Sequence, residues 1–119
     1  MEIFLKRVYD LQDSDDGFRV LVDRLWPRGI KKEALALDLW GKDIAPSTDL
    51  RKWYHHEGDF EAFKKEYKEE LEHNEFFGTF CTELCKHKKI TLLTASKVIE
   101  RSTLPILLEA IKSYCLTMV

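Results

Sequence analysis

Charged and aromatic side chains follow a short apolar run in the first quarter of the chain. Residues 20–22 read VLV, and the next loop holds Asp23, Arg24, Trp26 and Arg28 together with a proline and a glycine. Guanidinium groups bind phosphate or carboxylate through paired hydrogen bonds, and an indole can form the wall of a pocket. Because open α/β sheets bind ligands where their strands end, this stretch predicts a small-anion site in which Asp23 orients the arginines.

The same residues also have a structural interpretation, and the sequence leaves both open. Asp23 would pair with an arginine to pin the loop, and Trp26 would fill the core, with no ligand involved. Whether the protein is an enzyme is equally open. If it is one, Asp23 and His55 are the expected catalytic acid–base groups, since carboxylates and imidazoles are the usual proton carriers.

A second group of polar residues lies at a predicted helix start. Ser47 follows a proline and can cap the free amides of the first turn, and such a helix end also binds anions. Arg51 and His55 are four residues apart and would share one helix face. Lys42 is a secondary ligand-binding candidate beside them. The alternative is an ordinary cap on a solvated helix, and for Ser47 itself the cap is the favoured interpretation.

Known metal and nucleotide signatures are missing. Cys81 and Cys85 have helical i,i+4 spacing, but no second pair has the spacing typical of zinc ligands. The sequence therefore predicts buried thiols and no metal. The chain has only five glycines and contains no GxxxxGK[ST], GxGxxG or GxSxG motif, so no cofactor is predicted either.

The overall charge argues against a dedicated nucleic-acid binder. The net charge is −2 and the isoelectric point is near 6.1, whereas such proteins are usually basic. Residues 24–32 nevertheless carry four basic side chains. A non-enzymatic module that binds nucleic acid or a regulatory partner through this patch is therefore the alternative to a small-anion site, and its binding would fall steeply with salt.

The hydrophobic pattern predicts an α/β protein in which a small, mostly parallel or mixed sheet is flanked by helices. Strands are predicted at residues 2–9, 18–25 and 89–94, and helices at residues 47–56, 59–73, 76–88 and from residue 102 or 103 onward. Residues 31–45 fit a strand or a short helix equally well. With 119 residues and no linker-like stretch, residues 1–119 are expected to form one compact domain.

Several longer motifs resemble the YeaO-like family of small prokaryotic proteins. They are KRVYD at 6–10, RVLVDRLWPRGIKK at 19–32, ALDLW at 36–40 and APSTDLRKW at 45–53. The resemblance implies a compact α/β domain with no established activity or cofactor. The family typically opens its last helix with an Asn-His pair, and the corresponding positions here are Ser102 and Thr103. An activity that depends on that pair would be absent from this chain.

The expected location is the cytoplasm. No apolar run approaches the roughly 18 residues that a membrane span needs, and the N-terminal MEIFLKRVYD lacks the apolar region of a signal peptide. Three cysteines, an odd number, fit a reducing compartment rather than a disulfide framework. No membrane partner is predicted.

Overall fold

A four-stranded sheet forms the centre of the computed structural model, which describes residues 1–117. The strands are β1 (Glu2–Arg7), β2 (Phe18–Leu21), β3 (Leu39–Trp40) and β4 (Lys89–Thr94). Their order across the sheet is β1-β4-β2-β3, and every neighbouring pair is parallel. The predicted α/β class is thereby confirmed.

Five α-helices accompany the sheet within residues 1–117. They are α1 (Lys32–Leu35), α2 (Thr48–Glu57), α3 (Phe60–Glu72), α4 (Phe77–Leu84) and α5 (Thr103–Thr117). The predicted starts of α2, α3 and α5 are confirmed to within a residue, and β4 has the predicted bounds. The ambiguous stretch at 31–45 contains both alternatives, since it forms the short α1 and the two-residue β3.

The core explains why residues 20–22 form a continuous apolar run. Val20, Leu21 and Val22 are all fully buried, because the sheet is covered on both faces. Val20 and Val22 pack with the four longer helices in the main core cluster. Leu21 belongs to a smaller cluster on the other side, which includes Leu35 of α1.

Three predicted boundaries are wrong. β1 was expected to reach residue 9 but ends at Arg7. β2 was expected to reach residue 25 but ends at Leu21, and the Asp23 side chain turns to the end of β4 instead of continuing a ladder. α4 was expected to reach residue 88 but ends at Leu84. The prediction of buried thiols therefore fails for Cys85, which caps α4 and is exposed.

The other two thiols are shielded from solvent. Cys81 is buried, and burial raises its pKa to about 12. Cys115 is half-buried, and desolvation together with the neighbouring Cys85 thiol raises its pKa to about 11. Within residues 1–117, no helix has the length and apolar character needed to cross a membrane.

Candidate functional site

A cleft of about 700 Å³ opens at the carboxyl edge of the sheet. Its lining comes from segments that follow three strands: Tyr9 after β1, residues 22–28 after β2, and Ala95 with Ser96 after β4. Arg51 and His55 of α2 complete one wall. This is the edge at which parallel sheets bind their ligands, because the loops after adjacent strands meet there.

The cleft is lined by four of the six arginines of the chain. They are Arg24, Arg28, Arg51 and Arg101. The lining includes no lysine, and Asp23 is its one acidic residue. None of the four arginines forms a salt bridge with any residue from 1 to 117, whereas Arg19, on β2, is paired with Asp16 in the interior. The cleft therefore holds four arginines against the single carboxylate of Asp23.

Arg24 has a structural role as well as a place in the cleft. Its Nε donates to the Pro46 carbonyl at 3.1 Å, and one terminal nitrogen donates to the Ala45 carbonyl at 2.9 Å. The side chain is half-buried and ties the loop after β2 to the segment that leads into α2. A ligand would therefore meet an Arg24 whose position is already fixed.

Asp23 does not orient the arginines, which corrects the sequence hypothesis. One carboxylate oxygen accepts from the Thr94 hydroxyl at 2.8 Å, and the other accepts from the Ala95 N–H at 2.8 Å. Burial raises the pKa of this carboxyl, although these two hydrogen bonds and the charge of Arg51 act in the opposite direction. Asp23 thus pins the loop after β2, as the structural interpretation supposed, but it does so through β4.

The Trp26 side chain lines the cleft and also packs against the core. Its Nε1 donates to the Ile30 carbonyl at 2.7 Å, which closes the loop upon itself. The ring meets Trp40 edge to face, with the ring centroids 5.3 Å apart, and packs against the smaller core cluster. The Trp40 Nε1 in turn donates to the Asp23 carbonyl at 2.7 Å, so the two indoles hold this loop on the end of the sheet.

Two predicted ligand-binding residues lie outside the cleft lining. Ser47 caps α2 by accepting from the Leu50 N–H at 3.2 Å, and its hydroxyl and N–H donate to the two carboxylate oxygens of Glu70. Lys42 is exposed, with its ammonium 4.9 Å from the centre of the Trp40 ring. The two residues therefore have local structural contacts, and the favoured interpretation of Ser47 as a cap is confirmed.

Arg51 and His55 share the face of α2 that lines the cleft. Both side chains are exposed, and neither forms a hydrogen bond or a salt bridge with another side chain or with the backbone of residues 1–117. Arg28 is exposed as well, and only its backbone carbonyl is engaged, by the Tyr9 hydroxyl at 3.4 Å. These three side chains have their polar groups available for a ligand.

Sequence reasoning missed Arg101. One of its terminal nitrogens donates to the Gly58 carbonyl at 3.0 Å, and its own carbonyl accepts from the Tyr54 hydroxyl at 2.8 Å. Both contacts join the segment before α5 to the end of α2. The only sequence signal was a charged residue just before a helix start, which is too common to indicate a site.

Ser102 and Thr103 also line the cleft. Ser102 is buried, its hydroxyl donates to the Ile99 carbonyl at 2.6 Å, and the same oxygen accepts from the Leu104 N–H at 3.2 Å. The side chain thus serves as a cap for α5. The two positions at which the family resemblance predicts an Asn-His pair therefore line this cleft, and the Ser102 hydroxyl is engaged with the backbone.

Comparisons with known proteins identify the family of this chain, and the relatives they find are uncharacterized. A family model described as the inactive DUF488-N3 subclade matches residues 2–117. The uncharacterized protein YeaO of Escherichia coli strain K12 is 50% identical over 98 residues, which cover 82% of this chain and 85% of that protein. The uncharacterized protein Rv3073c of Mycobacterium tuberculosis strain H37Rv is 42% identical over 104 residues, 87% of each chain. No solved structure matches the chain.

Proposed function

The chain belongs to the YeaO-like family, within the subclade described as inactive DUF488-N3, and from this premise we propose that it is a cytoplasmic module that binds a small anionic ligand in the arginine-lined cleft. The ligand carries a phosphate or a carboxylate group. The binding residues are Arg28 and Arg51, with Arg24 and Arg101 fixed beside them and Trp26 in the wall.

The observation that carries this proposal is the convergence of four arginines that form no salt bridge among residues 1–117 and share the cleft with only one carboxylate, that of Asp23. Like charges in one cleft repel each other, and the repulsion is relieved when an anion binds between them. Arginine also differs from lysine in presenting a planar fork of donors that matches phosphate and carboxylate oxygens. A cleft lined by four arginines and no lysine therefore suits an oxyanion.

The geometry favours binding over catalysis. The Asp23 carboxylate already accepts two hydrogen bonds within the protein, so it is poorly placed to take a proton from a ligand. His55 has no carboxylate or carbonyl partner within residues 1–117 that would orient its ring, as general bases in enzymes usually have. The description of the subclade as inactive agrees with this interpretation.

A titration with inorganic phosphate tests the proposal. We expect phosphate to raise the melting temperature, because a ligand that binds only the native state stabilises it, by about 2.7 kcal/mol at a hundredfold excess over Kd. Arg51→Gln should weaken phosphate binding at least tenfold in calorimetry. Lys52→Gln is the matched control, since it removes the same charge from the next position of α2 and lies outside the cleft lining. Equal losses of phosphate affinity in the two variants would contradict a specific phosphate site in the cleft.

The nucleic-acid module remains the second candidate, and one observation favours it. Arg28, Lys31 and Lys32 are all exposed and lie within five consecutive positions, a short basic surface that includes one residue of the cleft lining. Arg24 does not contribute to this surface fully, because its donors are engaged with the Ala45 and Pro46 carbonyls. Tight binding of a single-stranded oligonucleotide that falls steeply with salt and is lost in Lys31→Gln would favour this alternative over a compact site.

A further inference from the structure

The cleft combines its arginines with two exposed apolar side chains. Tyr9 is 50% exposed and Leu25 is 58% exposed, and both belong to the cleft lining. The volume of about 700 Å³ lies in the range of roughly 300–1,000 Å³ that is typical of sites for organic ligands of drug size. Inorganic phosphate has five heavy atoms, so it would leave most of the cleft and both apolar side chains without a contact.

Tyr9 is held in place by contacts on two sides. Its hydroxyl donates to the Arg28 carbonyl at 3.4 Å, which joins it to the loop after β2. The Arg7 guanidinium lies over its ring, 5.1 Å from the ring centroid, and the Arg7 Nε donates to the Ser96 carbonyl at 2.9 Å. A tyrosine fixed in this way offers an aromatic surface that loses little conformational freedom when a ligand binds.

The two apolar side chains belong to, or contact, the loop that carries two of the cleft arginines. Leu25 lies between Arg24 and Trp26 in the loop after β2, and Tyr9 contacts the backbone of Arg28 through its hydroxyl. A single ligand within the cleft can therefore meet an aromatic ring and a guanidinium group at the same time. Aromatic rings on ligands stack favourably on such side chains, as bases do in proteins that bind single-stranded nucleic acids.

We propose that the ligand is an organic anion that carries an aromatic ring, such as an aryl phosphate or a nucleoside monophosphate, with the ring against Tyr9 and Leu25 and the anionic group among the arginines. This inference rests on the proposed anion-binding function and adds the part of the ligand that determines specificity. Arginines alone would accept any oxyanion, whereas the aromatic surface distinguishes one that bears a ring.

Calorimetry on the full chain at fixed ionic strength tests the inference with four probes: inorganic phosphate, ribose 5-phosphate, phenyl phosphate and phenol. We expect phenyl phosphate to bind at least tenfold tighter than either of the other two phosphates, and phenol, which lacks the anionic group, to bind more weakly than all three. Tyr9→Leu should reduce the preference for phenyl phosphate over phosphate to less than threefold. Tyr9→Phe should keep it, because the ring remains.

Leu11→Ala is the control variant, because Leu11 is 90% exposed and lies outside the cleft lining. It should keep the full preference for phenyl phosphate.

Equal affinities of the three phosphates for the unmodified protein would overturn the aromatic ligand and leave the anion site standing. A preference that survives Tyr9→Leu would overturn the role of Tyr9. If none of the three phosphates binds, the proposed function fails, and this inference fails with it. If Tyr9→Leu does not fold, the probe series on the unmodified protein still decides the ligand class.

Discussion

The Asp23 carboxylate joins the loop after β2 to the end of β4, two segments that are far apart in the sequence. In the structure its oxygens accept from Thr94 and Ala95, at the end of a strand more than 70 positions away. No local pattern could have indicated these partners, because they depend on β4 lying beside β2.

Replacing Asp23 should separate the hydrogen bonds from the charge. Asp23→Ala leaves the Ala95 N–H without its partner and the Thr94 hydroxyl with only a 3.3 Å hydrogen bond to the Ser96 hydroxyl, which should lower the free energy of unfolding by about 2–4 kcal/mol. Asp23→Asn should cost much less, since its amide can accept from Ala95 and donate to Thr94. Urea denaturation measures both, and equal losses in the two variants would mean that the charge itself is essential.

The pH dependence of the same residue has a definite sign. Burial raises the pKa of Asp23 above its ordinary value of 3.8, so between pH 3.8 and the raised pKa the native state holds the proton more firmly than the unfolded state does. The contribution of this carboxyl to stability is therefore full below pH 3.8 and declines as the pH rises through that interval. The unfolding free energy of the unmodified protein minus that of Asp23→Asn should therefore decrease as the pH rises. A difference that grows with pH would contradict a raised pKa.

At the scale of elements, the predictions succeeded where local chemistry decides. Ser47 and Asp59 accept from backbone N–H groups of the first turns of α2 and α3, as their types and positions indicated. β4 was recognised because it is short, apolar and bounded by polar residues. β3 could not be identified, because a two-residue strand exists only through its pairing with β2.

Gly17 shows how closely two elements approach, and its replacement should be costly. It has a positive φ of 67°, and a Cβ at this position would lie 2.8 Å from the Lys89 carbonyl carbon, at the start of β4. Both the backbone strain and the clash oppose Gly17→Ala, so we expect a loss of about 3 kcal/mol or more. Urea denaturation measures this loss, and the slope of the unfolding free energy against urea concentration is compared with that of the unmodified protein to show that stability alone has changed.

Gly29→Ala is the matched control for Gly17→Ala. Its φ is 75°, but no atom lies within 4 Å of the position that a Cβ would take. Only the backbone strain remains, and we expect about 1 kcal/mol. If the two variants lose the same stability, the close approach of Gly17 to β4 has no energetic weight, and the strain alone explains both.

At the scale of the whole molecule, the cleft is a product of the strand order. Because β4 lies between β1 and β2, segments near residues 9, 23–28 and 95–103 meet at one edge of the sheet. The sequence predicted the loop at 23–28 and the face of α2, but it could not bring them together or add Arg101. The net charge of −2 gives no indication of the cleft, because every acidic residue except Asp23 lies outside its lining.

The concentration of arginines should cost the ligand-free protein stability, and this effect can be measured. The Arg28 side chain forms no hydrogen bond or salt bridge within residues 1–117, so its loss removes repulsion and little else. We expect Arg28→Gln to raise the melting temperature by about 1–3 °C at low ionic strength, which corresponds to about 0.5 kcal/mol.

The gain in melting temperature should disappear at about 1 M salt, where the Debye length is near 3 Å. Lys112→Gln, at an exposed site on α5 outside the cleft, should not show it. A lower melting temperature for Arg28→Gln at low salt would mean that the charge of Arg28 is balanced within the protein, and the cleft would then have no electrostatic need for an anion.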